Sequence, residues 1–195
     1  MEEVDVDTKI KIIVIGGSAG SLSVLFQVLP ALLPRLKVAI VLVLHRKSSS
    51  ESSLSALLGT KTTIPTREVE DKDPVLPGNI YLAPADYHLL LEKDLTFSLD
   101  YSEKVNFSRP SLDVTFESAA DVFGPALAGI LLSGANEDGT AGLIAIKNAG
   151  GTVIVQSPGS AQMPFMPQHA INSLPVDLIL DVKEITAFIN ALSGN

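Results

Sequence analysis

The sequence predicts a three-layer α/β fold, doubly wound around a mainly parallel, Rossmann-like sheet with a small antiparallel hairpin at its edge. Three continuous apolar runs predict strands that are buried on both faces, as parallel strands are. These runs are residues 10–15 (IKIIVI), 38–44 (VAIVLVL) and 127–132 (LAGILL). Segments with helical spacing of apolar residues lie between them, and alternation of strand and helix is typical of a parallel sheet.

The length and composition suit one domain with a substantial core. The chain has 195 residues, of which 46% are hydrophobic and 18% charged. This length is typical of a single α/β domain. We therefore expect a polar tail over residues 1–9 and a single domain over residues 10–195.

Charge and residue usage argue against several classes of protein. The net charge is −8 and the longest basic run is Arg46-Lys47, so nucleic acid is an unexpected partner. No apolar run reaches the ~20 residues that span a bilayer, and no secretory signal is visible, which predicts a cytoplasmic protein without membrane insertion. The chain has no cysteine, and its histidines His45, His88 and His169 lack metal-binding spacing, so we expect no metal.

The first half of the chain reads as strand, helix, strand and helix. Apolar residues recur at helical spacing over residues 21–33, and Pro30 predicts the end of that helix. After the second strand, serines within residues 48–53 are expected to cap a short helix over residues 54–58.

The middle of the chain predicts an antiparallel excursion at the edge of the sheet. Turn signals at Pro77-Gly78 and Lys93-Asp94 separate short segments of strand character. The three predicted strands are residues 79–83, 87–92 and 95–99.

The remaining elements complete the alternation. Pro110 predicts the start of a helix that runs to Phe123, because proline suits the first helical turn. A helix over residues 139–148 follows the third central strand and stops at Gly150-Gly151. The last predicted elements are a strand at 152–156, a helix at 166–172, a strand at 178–180 and a helix at 184–192.

Each central strand runs into a residue that suits acyl transfer. Ser18 follows the first strand, His45 the second, and Asp138 lies in the segment after the third. Ligands bind outside the carboxyl ends of strands in open parallel sheets. We therefore predict that these side chains meet as nucleophile, base and orienter.

The glycines around Ser18 have the spacing of a nucleophile elbow. Gly16-x-Ser18-x-Gly20 allows a strand to turn sharply into a helix and expose the hydroxyl. The N–H of Ala19 would then face a developing oxyanion. The alternative is a glycine-rich turn that only packs or that binds phosphate. A dinucleotide fingerprint is absent, because Ser18 occupies the place of its second glycine.

The histidine and the aspartate have simpler interpretations as well. His45 is equally compatible with a solvated loop residue, and Asp138 with the N-cap of the following helix. Glu137 competes with Asp138 but has a longer side chain. A structural or rim role is expected for His88 and a surface or interface role for His169.

Five segments in order resemble the catalytic domain of the chemotaxis receptor methylesterases (CheB). They contain VIGGSAGS, GNIYLAPADYH, SRPSLDVTF, LLSGANEDGTAG and AQMPFMPQHAIN, at residues 14–21, 78–88, 108–116, 131–142 and 161–172. The resemblance covers most of the chain.

The resemblance implies an enzyme that hydrolyses glutamate γ-methyl esters on methyl-accepting chemotaxis receptors. Members of this family also deamidate receptor glutamines. By position, Ser18 is the nucleophile, His45 the base and Asp138 the orienter, with backbone N–H groups of Ala19 and Ala135 as the oxyanion hole. No cofactor is implied. The implied partner is the cytoplasmic region of the receptors.

Three departures from the family pattern affect this prediction. The family's HMPxxF segment is His45-Arg46-Lys47-Ser48 here, which alters a surface expected to face the receptor. Asn136 replaces a glycine, which predicts strain if φ is positive there. We expect no receiver domain before these segments, which would leave control to a partner such as a separate response regulator, to expression, or to none.

Two other functions remain open at this point. A binding module of the same fold without catalysis would dock on receptors or on another signalling protein and release no methanol. A nucleotide-binding domain is a weaker alternative, prompted by the glycine-rich first turn and opposed by the missing fingerprint.

Overall fold

The computed structural model describes residues 10–46 and 54–193, and its main sheet has seven parallel strands. The strands of the chain are β1 (Ile12–Gly17), β2 (Ala39–Leu44), β3 (Thr66–Glu68), β4 (Ile80–Leu82), β5 (His88–Leu91), β6 (Phe97–Asp100), β7 (Leu127–Leu131), β8 (Thr152–Gln156) and β9 (Leu178–Leu180). The main sheet has the order β3-β4-β2-β1-β7-β8-β9, and β5 and β6 form a separate antiparallel pair. The predicted fold class is confirmed.

Helices cover both faces of the main sheet. They are α1 (Ser21–Val28), α2 (Leu54–Gly59), α3 (Leu112–Phe123), α4 (Thr140–Asn148), α5 (Phe165–Ser173) and α6 (Val182–Ala191). One buried cluster joins the sheet to α3, α4 and α5, and includes Phe116, Leu143 and Met166. A second cluster on the opposite face joins it to α1, α2 and α6. No helix within the described residues has the length and apolar character that crossing a bilayer requires.

The predicted antiparallel excursion is wrong in one of its three strands. The first strand, β4, pairs parallel with β2 inside the main sheet, and only β5 and β6 form the antiparallel hairpin. A short apolar segment does not reveal the direction of its partner, so the sequence could not separate β4 from the hairpin. The edge strand β3 was not predicted, because Thr66–Glu68 carries no apolar alternation.

Two predicted features lie outside the described residues. These are the polar tail over residues 1–9 and the serine cap within residues 48–53. The first helix ends near Pro30 as predicted, because α1 stops at Val28 and a 3-10 turn at Leu29–Ala31 that contains Pro30 follows.

The three central strands end at the same level of the sheet. β1 lies between β2 and β7, with Gly17 paired to Leu44 and Gly16 paired to Leu131. The chain therefore leaves all three strands at one edge, on either side of the point where the strand order reverses. That crevice is where ligands bind in open α/β sheets.

Close packing of α3 against α4 depends on Gly142. A Cβ added at Gly142 would lie 2.4 Å from Cβ of Phe116 and 3.1 Å from Cα of Asp113. Because both atoms belong to or adjoin the backbone of α3, that helix would have to move.

We expect Gly142→Ala to lower the free energy of unfolding by about 2 kcal/mol, because overpacking outweighs the gain in helix propensity. Gly59→Ala is the control, since its added Cβ meets only Thr66 at an ordinary 3.8 Å. Urea unfolding measures both, and equal stability of the two variants would contradict the packing argument.

Candidate active site

The backbone around Ser18 forms a strand–turn–helix junction. The Ser18 N–H donates to the Ser133 carbonyl (2.9 Å), and the Ser18 carbonyl accepts from the Ser21 N–H (3.0 Å). Gly20 then adopts a φ of 85°, a left-handed conformation that glycine reaches without strain, and α1 begins. This is the strand–turn–helix context in which a nucleophile elbow occurs, and Ser18 itself does not have a positive φ.

Gly134 lets the end of β7 approach this serine. A Cβ at Gly134 would lie 3.1 Å from Cβ of Ser18 and 2.5 Å from Sδ of Met166. The Gly134 N–H donates to the Met163 carbonyl (3.1 Å), and its own carbonyl accepts from the Met166 N–H (3.0 Å). The serine is therefore enclosed on this side by the segment that leads into α5.

His45 lies beside Ser18 and contacts Asp138. The backbone N–H of His45 donates to the Gly17 carbonyl (3.1 Å), which places His45 next to Ser18, at the end of the neighbouring strand. Its Nε2 is 2.7 Å from Oδ2 of Asp138, and its side chain is 12% exposed. Among the described residues no side-chain hydrogen bond joins Ser18 to His45. Because Nε2 contacts Asp138, Nδ1 is the ring nitrogen that could accept a proton from another group.

Asp138 is a fully buried carboxylate at the N-terminus of α3. Its Oδ2 accepts from the Leu112 N–H (2.7 Å). Its Oδ1 accepts from Nδ2 of Asn106 (3.1 Å), Oγ of Ser111 (2.9 Å) and the N–H of Asp113 (3.2 Å). The first N–H groups of a helix have no partner inside the helix. Asp138 precedes α4 in the chain, but it accepts hydrogen bonds from the first N–H groups of α3.

These contacts decide the charge state of Asp138. Burial by itself would raise its pKa, since a low dielectric disfavours the charged form. Hydrogen bonds from His45, the Leu112 N–H and Asn106 outweigh burial and hold the pKa of Asp138 below its ordinary value. The carboxylate next to the imidazole is therefore ionised at neutral pH.

Asp113 makes the reciprocal contact with the N-terminus of α4. Its Oδ1 accepts from the N–H groups of Gly139 (2.9 Å) and Gly142 (2.7 Å), and its Oδ2 accepts from Nδ2 of Asn106 (2.7 Å). Burial raises the pKa of Asp113 to about 6, opposed by the Gly142 N–H and reinforced by the negative charge of Asp138. Asn106 bridges the two carboxylates.

The sequence left two alternatives open, namely Asp138 as the N-cap of the following helix and Glu137 in place of Asp138, and the structure agrees with neither. The residue at the N-cap of α4 is Gly139, so the interpretation of Asp138 as the cap of that helix is wrong. Glu137 points away from His45; its side chain is 66% exposed and its Oε2 is 3.7 Å from Nε2 of His169.

The other histidines make structural contacts. His88 is buried, with Nδ1 accepting from the Ser111 N–H (3.2 Å) and Nε2 donating to the Glu103 carbonyl (2.8 Å). His169 is partly exposed, and its Nδ1 is 3.0 Å from Oγ1 of Thr140.

The strain predicted at Asn136 is absent. Asn136 does not have a positive φ, and its Oδ1 accepts from the Asp138 N–H (3.1 Å). An asparagine side chain that bonds the backbone two residues on stabilises such a turn. Ala19 and Ala135 are both exposed near Ser18, and their role as oxyanion hole stays a prediction.

A cleft of about 550 Å³ opens beside His45. The residues lining it are His45, Arg46, Asp86, Lys104, Phe107, Ser108 and Arg109. Arg46 bonds Glu68 (2.6 Å) and the Ala83 carbonyl (3.1 Å), whereas Lys47 and Ser48 lie outside the described residues. No group of three or more His, Cys, Asp or Glu within residues 10–46 and 54–193 could hold a metal ion.

Sequence reasoning missed three residues of the site, namely Asn106, Ser111 and Asp113. Ser111 is the N-cap of α3, and its segment was noted only for its resemblance to a family motif. A serine and an aspartate two residues apart at a helix start were the available signal.

A serine at a strand–turn–helix junction beside a histidine that contacts a buried aspartate is the arrangement found in serine hydrolases. The family model for CheB methylesterase matches residues 13–189. The chain therefore belongs to the CheB methylesterase family. The predicted family and the predicted class of enzyme, a carboxylic ester hydrolase, are confirmed.

Individual relatives agree with this family. A Leptospira interrogans protein, provisionally named protein-glutamate methylesterase/protein-glutamine glutaminase, is 42% identical over 94% of this chain and 95% of its own length. The protein-glutamate methylesterase/protein-glutamine glutaminase of Thermotoga maritima is 34% identical over 90% of this chain, which spans about half (52%) of that relative. The crystal structure of the T. maritima CheB methylesterase catalytic domain matches with a TM-score of 0.89 and 32% identity, covering 95% of this chain and 100% of that one.

The raised pKa of Asp113 predicts a pH dependence of stability. The folded pKa, about 6, exceeds the unfolded value of ~3.9, so folding favours the protonated form. This contribution is complete below about pH 4 and is lost as the pH rises through about 6. The Asp113→Asn variant should therefore lose less stability than the wild type between pH 5 and pH 7.5.

Urea unfolding at the two pH values measures this difference. Asp121→Asn, an exposed position on the same helix, is the control and should keep the wild-type dependence. An unchanged pH dependence in Asp113→Asn would show that this carboxyl does not titrate as described.

Proposed function

We propose that this protein hydrolyses glutamate γ-methyl esters on methyl-accepting chemotaxis receptors, with Ser18 as nucleophile. The observation that carries the proposal is the 2.7 Å contact of His45 with buried Asp138, at strand ends that adjoin the Ser18 turn. The proposed catalytic domain takes in residues 10–195.

In the first half of the reaction, Oγ of Ser18 attacks the ester carbonyl while Nδ1 of His45 takes the hydroxyl proton. The carbonyl oxygen becomes an oxyanion, and the N–H groups of Ala19 and Ala135 donate to it. The tetrahedral intermediate collapses, and methanol leaves with the proton returned by His45. The product of this half is an acyl-enzyme at Ser18.

In the second half, a water molecule replaces methanol. His45 takes a proton from the water, whose oxygen attacks the acyl carbon, and the Ser18 oxygen leaves with that proton. The product is a free glutamate side chain. No cofactor takes part in the proposed sequence of steps.

Asp138 orients the base throughout these steps. Its carboxylate holds the proton on Nε2, which keeps Nδ1 free to accept, and it stabilises the imidazolium that forms in each half. The lowered pKa of Asp138 keeps it ionised for this role. Donors from α3 and Asn106 hold its two oxygens in place.

The same acyl-enzyme also forms from glutamine, with ammonia as the leaving group. The names of the relatives from Leptospira and Thermotoga include both activities, so receptor glutamine deamidation belongs to the proposal. The proposed partner is the cytoplasmic region of the receptors, and the proposed location of the protein is therefore the cytoplasm. The proposed function involves neither nucleic acid nor insertion into the membrane. A separate response regulator is the proposed source of control.

Methanol release from methylated receptor membranes of the source organism tests the nucleophile. Ser18→Ala should abolish release while the circular dichroism and melting temperature stay unchanged, because only the attacking oxygen is lost. Ser23→Ala is the control, an exposed serine on α1, and should release methanol at the wild-type rate.

Two outcomes would overturn this assignment. Equal release from Ser18→Ala would remove Ser18 from the reaction. No release from the folded wild type, together with binding to the same membranes, would instead favour the non-catalytic binding module.

Removal of the charge at Asp138 tests the orienting role. Asp138→Asn should lower kcat for methanol release by about ten-thousandfold with KM little changed, because the amide favours the wrong imidazole tautomer. Glu137→Gln is the neighbouring control, whose exposed side chain does not face His45. A larger loss of kcat in Glu137→Gln than in Asp138→Asn would show that Glu137, and not Asp138, orients His45.

A further inference from the structure

An unusual tight turn lies at the mouth of the cleft. Val105 and Ser108 exchange both backbone hydrogen bonds (3.1 and 2.9 Å), which closes a loop of two residues. Those residues, Asn106 and Phe107, have φ values of 50° and 62°. Turns with two positive φ values favour glycine at the second position, and a bulky side chain there is a strained exception.

Packing within the chain does not explain Phe107. Its side chain is 98% exposed, so the ring gains no buried contact that would offset the backbone strain. Glycine would satisfy the turn without strain. Strained residues of this kind cluster where a protein contacts a ligand. The ring is therefore placed to contact something outside the chain.

Both sides of the turn are held in place. Asn106 donates through Nδ2 to Asp138 (3.1 Å) and to Asp113 (2.7 Å). On the other side, the Arg109 guanidinium stacks on the ring of Tyr101 at 3.9 Å. The residue before Phe107 is thus bonded directly to the aspartate that contacts His45.

Phe107 and His45 also line the same cleft. The turn therefore presents an apolar ring at a defined position relative to the base. A polypeptide segment that occupies this cleft beside His45 would therefore contact the ring.

We propose that Phe107 is a substrate-positioning residue, which packs against an apolar side chain of the receptor segment that carries the glutamate ester. This inference rests on the proposed function and names a specificity contact for it. The ring does not touch the reacting atoms. It lowers KM by holding the polypeptide while the ester lies at Ser18.

The test compares two glycine substitutions at exposed apolar residues with positive φ. Phe107→Gly should raise the melting temperature, because the strain is removed, and should raise KM for methylated receptor membranes about tenfold with kcat little changed. Leu95→Gly is the control: Leu95 is 50% exposed with φ 61°, in the turn between β5 and β6. It should raise the melting temperature with KM unchanged. Phe107→Tyr keeps the ring and should keep the wild-type KM.

An unchanged KM in Phe107→Gly, with an active wild type, would overturn the inference and leave the proposed function intact. A fall in kcat without a change in KM would also overturn it, because the ring would then act in the chemical step. If the wild type itself releases no methanol, the proposed function fails. Cosedimentation with the same membranes then decides the inference, and equal binding of Ser18→Ala and the Ser18→Ala, Phe107→Gly double variant would overturn it.

Discussion

The buried carboxylate of Asp138 is the group on which the site depends. It follows β7 and satisfies N–H groups at the start of α3, while Asp113 from α3 satisfies those at the start of α4. The segment just before α4 therefore supplies the carboxylate for the N-terminus of α3, and α3 supplies the carboxylate for the N-terminus of α4. This exchange, together with the close approach at Gly142, holds α3 against α4 and fixes the direction in which Asp138 meets His45.

The two carboxylates lie in similar surroundings but have opposite pKa shifts. Burial disfavours the charge on both, and only Asp138 gains the imidazole in compensation. Two negative charges bridged by Asn106 repel each other. Asp138 therefore loses its proton first, and Asp113 becomes charged at a higher pH. The arrangement concentrates negative charge beside His45, where an orienting carboxylate is needed.

The residues at strand ends could be predicted because parallel strands in register end together. Ser18 and His45 follow paired strands, and the distance between neighbouring strands is a constant of the sheet. Asn106, Ser111 and Asp113 could not be found in this way, because they come from a loop and a helix start whose position is set by packing. The strain considered at Asn136 required a positive φ, which the residue does not adopt, and its side chain instead accepts a hydrogen bond from the Asp138 N–H.

Apolar periodicity and the glycine spacing around Ser18 were sufficient to determine the fold class, the central strands and three candidate residues at one edge. Those features act over a few residues along the chain, where propensity and strand geometry dominate. Only the tertiary structure decided that β4 runs parallel, that Asp138 and not Glu137 meets the histidine, and that Asn106 ties the Phe107 turn to this site. Each of these depends on burial and hydrogen bonding between segments about 30 or more residues apart, which no local pattern encodes.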